Sequence, residues 1–361
     1  MVRPTAARRR SGRRRRRARR PTALSVGPAR ARFHDLAAAH AAALGPDGAW
    51  RWLAEHGLLA IARHPGLPPA AGERLADAAR HNLAANLFRI DRFRAAATAL
   101  AGLAVCPLKG IYLLDTVYRD DPQHRVLGDL DLLVRAAEVD AAVRCLVPLG
   151  LAETAASRGA GSGWHERVLA GDGFVVELHT RLAVKHAPRT TWDDLAPHPA
   201  AVHGRSVSIL DDETTLVHLV THWVKHVPFR ELRWVEDVLR WLERGVDGEA
   251  AWRHARRLGA ARSMVAGARA LRALAGPELL PGVPQRLRGA AQAAIAANER
   301  WVWGGRLATP LTAPPAATAA RRNLSALLLA DTVADATSFL AAKARELTRR
   351  RSTQAGPRQS W

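Results

Sequence analysis

Two carboxylates one residue apart, Asp129 and Asp131 in "GDLDLLV", sit in a run that reads as a buried strand. An isolated carboxylate taken out of water is costly, so something must receive the charge. In a strand, residues two apart point to the same face, so the pair projects together and repels. The remedies are a raised pKa, an arginine, or a divalent cation. Hard oxygen ligands so placed suit Mg²⁺. Glu177 in "FVVELH" is a third lone acid in an apolar strand-like run. On a neighbouring strand it completes a three-carboxylate cluster able to hold two metal ions for an in-line phosphoryl displacement. Upstream, "CPLKGIYLL" reads as a strand ending at Gly110 and passing into a helix, with Lys109 beside the turn. Free backbone N–H groups there, with the lysine charge, offer a seat for phosphate.

Other residues carry weaker signals. His179 follows Glu177 by two and shares its face, either contacting phosphate or serving as a hydrogen-bonded strand-end histidine. His165 and Glu166 lie on the strand before it. Arg125 and Arg119, in the loop before the aspartates, are within reach of a triphosphate. His218, His222 and His226 form an i, i+4, i+8 row. Trp223 stands where a zinc-peptidase helix needs glutamate, so the row reads as structural and not as a zinc site. Asp237 reads as a partner for His222 or His226 across a helix pair. The tryptophans, mostly at helical spacing, read as core residues.

These residues need a scaffold, and the periodicity supplies one. Residues 33–104 are helical, broken by "HPGLPPAAG"; 105–210 carry strand patterns, including a hairpin over "GWHERVLAGDGFVVELHT" and a further strand at "RSVSIL"; 211–300 return to helices. A Pro/Ala/Thr linker spans 301–322. An amphipathic helix with Leu329, Val333, Ala336, Leu340, Ala344 and Leu347 in register, followed by a basic tail, fills 323–361.

The net charge of +21 is concentrated at one end. Residues 1–32 hold 13 Arg and no acid, leaving +8 for the rest. Such a run reads as a disordered arm able to make nonspecific contacts with nucleic acid. It lacks the apolar segment of a secretory signal, and translation starting at Val26 would also account for it. Two cysteines, Cys106 and Cys145, give no disulfide framework and point to the cytoplasm. No uninterrupted apolar run reaches the length of a membrane span.

The ordered set of Lys-Gly turn, "GDLDLLV" and "VVELH", with "NLAANLFRIDRFRAAATALAGLAVCPLKG" before it, "WHERVL" within it and "LVHLVTHWVKH" and "LRWVEDVLRWL" after it, resembles the uncharacterised nucleotidyltransferase family of the DNA polymerase β-type superfamily. The match covers roughly residues 75–245. The resemblance implies an α+β fold, a small mixed sheet with flanking N- and C-terminal helices. It also implies transfer of a nucleoside monophosphate from an NTP to an acceptor, with release of pyrophosphate and two Mg²⁺ ions, Mn²⁺ being able to substitute. By the same resemblance, Lys109 and Gly110 match the phosphate-binding turn, Asp129 and Asp131 bridge the metals, and Glu177 serves the acceptor side as ligand or general base. Ile111 stands where the superfamily carries serine. The acceptor, whether metabolite, peptide, protein or RNA, is not written in the sequence. The alternative is a nucleic-acid-binding or biosynthetic partner protein on a catalytically degenerate version of the fold.

Overall fold

A computed structural model describes residues 26–154, 157, 166–171, 173–182, 190–226, 231–277, 279–304, 311, 319–332, 334–337 and 340–341. Its centre is a mixed five-stranded sheet in the order β1-β2-β5-β4-β3. Strands β1 (Val105–Pro107) and β2 (Leu130–Val134) are buried throughout, which explains their unbroken apolar runs. They pair antiparallel. β5 (Phe174–His179) runs parallel to β2 and antiparallel to β4 (Glu166–Gly171), whose far edge meets β3 (Ala152–Glu153). The expected hairpin is therefore β4–β5, with Gly173 at φ +76° in its turn. Parallel strands need a crossover. Helix α5 (Val139–Leu146) opens it, burying Ala142 and Leu146.

The "RSVSIL" strand forms a second hairpin, β6 (His198–Val202) with β7 (Arg205–Ile209). His203 and Gly204, both at positive φ, make the tight turn between them. From that turn His203 reaches back. Its Nε2 lies 2.9 Å from the Ile111 carbonyl, and its N–H donates to Asp115 Oδ1 at 3.1 Å, fixing the short helix α4 (Lys109–Asp115).

Helices enclose the sheet from both ends of the chain. Before it come α1 (Val26–Ala42), α2 (Gly45–Glu55) and α3 (Pro69–Ala99); after it come α7 (Asp212–Lys225), α8 (Arg233–Leu242), α9 (Gly248–Leu258) and α10 (Ala261–Ala275), with α6 (Trp192–Leu195) between the two hairpins. Proline at the start of α3 realises the break read at "HPGLPPAAG". α1 begins at Val26, so residues 26–32, assigned above to the arm, are helical. Ala29, Phe33, Ala37 and Ala41 form its buried stripe, and it packs on α8 and α10. The arginine run of residues 1–25 lies outside the described residues, as does His165.

The C-terminal end also departs from expectation. A π-helical turn, Asn298–Val302, carries the chain into the segment assigned to the linker, where Trp303 is buried. α12 runs Ala319–Leu328, after α11 (Gly289–Ala297), and stops. The expected continuous helix through Leu329 is interrupted because Asp331 accepts the N–H groups of Ala261 and Arg262 at 2.6 and 2.7 Å, capping α10. Thr332 and Asp335 then cap each other to start a new turn. Residues 342–361 lie outside the described residues. Among those described, no helix is long and apolar enough to cross a membrane.

α8 is buried from Trp234 to Leu242, and each of the three charged residues in that stretch has partners. Glu236 meets Arg240 Nε at 2.7 Å and His34 Nε2 at 2.8 Å. Burial opposes its charge, but His34, Arg240 and Arg30 hold its carboxyl down at about 2. Arg240 also forks onto Asp121 at 2.8 and 2.7 Å. Asp237 bonds Tyr118 Oη at 2.9 Å and Arg125 Nε at 2.8 Å, not the histidines expected. This network fixes the loop leading into β2.

Candidate active site

The parallel register of β2 and β5 sets Asp131 opposite Glu177 and Leu133 opposite His179. Directly paired residues share a face, so the two acids and the histidine two positions on converge above the sheet. Asp131 Oδ1 accepts from Lys109 Nζ at 2.5 Å and lies 2.8 Å from His179 Nε2. Glu177 Oε2 is 3.5 Å from the same nitrogen. Glu166, opposite His179 on β4, brings a fourth acid to within 3.9 Å of Nδ1. Asp131, Glu177 and His179 offer three ligand atoms all within 4.8 Å of one another. Their exposure differs: the Asp131 side chain is 3% exposed and that of Glu177 is 23%, so Glu177 faces the opening.

Lys109 reaches Asp131 because the chain turns sharply there. β1 ends at Pro107, the Leu108 N–H donates to the Asp131 carbonyl at 2.9 Å, and Lys109 adopts φ +46° as it opens α4. A lysine in the left-handed region costs about 1–2 kcal/mol, which the contact to Asp131 offsets. Gly110 makes room for the loop: a Cβ there would sit 2.3 Å from Leu127 Cδ1 and 3.7 Å from Arg125 Nη2. Gly110→Ala is therefore expected to push the buried Leu127 aside and lower stability by about 1–3 kcal/mol. An unchanged urea midpoint would contradict that packing.

The repulsion anticipated between the two aspartates is resolved in two ways. Asp129 lies just before β2, and its carboxyl is pushed up to about 6, by burial first and then by Asp131 and Glu177, against Lys109 and Arg125. Burial also disfavours the Asp131 charge, yet Lys109 and His179 hold that carboxyl far below the ordinary range. The cations answer in kind. Burial pulls Lys109 and His179 down, but the carboxylates raise both. One aspartate is thus fixed as an anion while its neighbour titrates near neutrality.

Arg125 is buried against Asp237, with its guanidinium between Asp237 and Gly110. Arg119 is exposed and bonds the Asp115 carbonyl at 2.9 Å. The histidine row lies within electrostatic reach of Lys109. His218 is buried and held down at about 3 by burial and then by Lys109, and His222 is lowered for the same reasons. Both His222 and His226 pack on Trp234, with ring centroids 5.1 and 5.0 Å apart. Among the described residues the row joins no metal-holding group.

Two contributors were not read from the sequence. Asn82 Nδ2 donates to the Gln123 and Arg125 carbonyls at 2.9 and 3.0 Å, and Asn86 Nδ2 to those of Pro122 and Arg125, each at 2.7 Å. These amides on α3 hold the loop that delivers Asp129. Their signal was two asparagines four apart in an alanine-rich helix, followed three later by Arg89, all on one face. Arg233 Nη1 adds a bond to the Val126 carbonyl at 3.3 Å.

Residues 43–276 match the model of a family described as "Uncharacterised nucleotidyltransferase". The chain belongs to this family. The match takes in every element that builds the carboxylate face, including the α3 asparagines and α8, and stops short of the arginine-rich start and the C-terminal segments. No curated protein and no solved structure matches the chain. Membership places the chain among proteins whose general activity is nucleotidyl transfer. Its mixed sheet with helices at both ends agrees with the α+β fold expected of it.

Proposed function

We propose that this nucleotidyltransferase transfers a nucleoside monophosphate from an NTP to a hydroxyl-bearing acceptor with release of pyrophosphate. The observation that carries the reading is the Asp131–Glu177 pair in parallel register, with Asp129 beside it and one acid at the opening. The donor set fits a divalent cation: clustered hard oxygens suit Mg²⁺, and the His179 imidazole also admits Mn²⁺. Asp129, Asp131 and Glu177 would hold two such ions, which when bound supply charge neutralisation for the phosphates and activation of the attacking oxygen.

The protein's own groups divide the remaining work. The acceptor oxygen bonds to the α-phosphorus, the bond from that phosphorus to the bridging oxygen breaks, and pyrophosphate carries away the electron pair. Glu177, whose side chain is far more accessible than that of Asp131, takes the acceptor proton. His179 holds Asp131 and Glu177 in one orientation through their shared contact with Nε2. Lys109 keeps Asp131 ionised and stands with Gly110 at the phosphate turn. Ile111 offers no hydroxyl there, so cations must carry phosphate recognition.

A second reading, a partner protein without turnover, is favoured by one observation: the Lys109 ammonium already neutralises Asp131. Incubation with each NTP labelled at the α-phosphate, Mg²⁺ or Mn²⁺ and a cell extract separates the two. The proposed activity moves the α label to an acceptor. No transfer of the α label from any NTP supports the second reading.

A further inference from the structure

Helix α3 carries five arginines, and four have partners. Arg74 pairs with Asp47, Arg80 with Asp77, Arg92 with Asp91, and Arg94 bonds the His203 carbonyl. Arg89 has no hydrogen bond or salt bridge among the described residues. Its position is nevertheless fixed. Asn82, Asn86 and Arg89 fall at i, i+4 and i+7 and so share a face, and both asparagines are bonded to the 122–125 backbone. Arg89 lies on that face one turn beyond Asn86, close enough to the site to feel the field of Asp129.

Among the described residues, no carboxylate forms an ion pair with Arg89. Asp129 already lies near Arg125 and Arg233 as well, and those two have acids of their own in Asp237 and Glu231. A half-buried guanidinium kept without a carboxylate of its own, at the edge of a site with no hydroxyl after its Lys-Gly turn, matches an anion brought by the substrate. Arginine meets phosphate through two parallel N–H bonds, a geometry lysine cannot offer. Arg89 stands on the Asp129 side, at the start of β2, whereas the accessible acid Glu177 lies on β5. That separates it from the acceptor.

We infer that Arg89 of α3 binds the β- and γ-phosphates of the NTP, taking over the contact that Ile111 cannot make. The inference rests on the function proposed above and assigns the polyphosphate side of that site to a helix outside the sheet. It makes the 82–89 face a single device: two amides set the loop that carries Asp129, and the arginine one turn on reads the phosphate chain held beside it.

The test is equilibrium binding of a non-hydrolysable NTP analogue with Mg²⁺, and of the corresponding nucleoside monophosphate, to wild type, Arg89→Gln, Arg89→Lys and Arg80→Gln. Loss of charge-assisted bonds to phosphate should weaken analogue binding to Arg89→Gln roughly 10- to 100-fold. Monophosphate binding should stay within about twofold. Arg89→Lys should recover part of the loss, and Arg80→Gln, an exposed arginine on the same helix, should bind as wild type does. Equal affinity of wild type and Arg89→Gln for the analogue overturns the assignment alone, as does an equal loss for mono- and triphosphate. Failure of wild type to bind any analogue overturns the proposed function and the inference with it.

Discussion

Replacing Asp131 by asparagine should lower turnover to background and also weaken the fold. The substitution leaves the Lys109 ammonium and the His179 imidazole facing an amide in a site with almost no water access. Removing one partner of a buried pair costs about 3–5 kcal/mol, because the remaining charge has no counterpart. Asp129→Asn, two residues away, should do the reverse to stability while also stopping transfer. The Asp129 carboxyl is pushed up to about 6 in the fold from the 3.8 of an ordinary aspartate, so the folded state holds the proton more tightly than the unfolded one. Its charge therefore destabilises the protein progressively as pH rises from about 4 to 6, by about 3 kcal/mol in all. Asp129→Asn should be more stable than wild type at neutral pH and no more stable below about pH 4. Asp131 has the opposite sign: its depressed carboxyl contributes stability above the ordinary carboxylate range, and that contribution fades on strong acidification. Urea unfolding of both variants at neutral and mildly acidic pH reads the difference. Matching shifts in the two variants would mean that the ion pairs do not separate the aspartates.

Glu177→Gln should lower turnover by about 10²–10⁴-fold, the usual worth of a positioned general base. NTP affinity should stay within a small factor, because the amide keeps the shape of the site and the role proposed for Glu177 is on the acceptor side. Its stability should change little, since its side chain is partly exposed and its contact to His179 is 3.5 Å. Single-turnover transfer beside equilibrium NTP binding makes the comparison. A variant that loses affinity and turnover together would move Glu177 to the nucleotide side.

The chemistry was legible where it was local. Alternation placed Asp131 and Glu177 on strand faces, and the "AGDG" turn marked the hairpin that brings Glu166 and His179 together. What the sequence withheld were contacts between distant segments. Asp237 could be seen to need a partner, but nothing near it in the chain points to Tyr118 and Arg125, more than a hundred residues away. The contact of Lys109 with Asp131 was not legible either, because the left-handed backbone that turns the lysine onto the acid leaves no mark in residue type. At the chain ends composition hid periodicity. Arginines hid the Ala29–Phe33–Ala37 stripe that makes residues 26–32 part of a packed helix, and Asp331 and Thr332, polar residues in an otherwise helical pattern, act as caps and break it.

The central claim is that the Asp129, Asp131 and Glu177 carboxylates form a divalent-metal site for an NTP. A crystal grown with Mn²⁺ and a non-hydrolysable NTP analogue tests it directly through anomalous scattering from manganese. The account predicts manganese bonded to Asp131 with the Lys109 ammonium displaced from that oxygen, Glu177 turned toward the metal, and the triphosphate lying on the Asp129 side. Manganese absent from this face, with the Lys109–Asp131 pair intact and the nucleotide elsewhere or unbound, would contradict it.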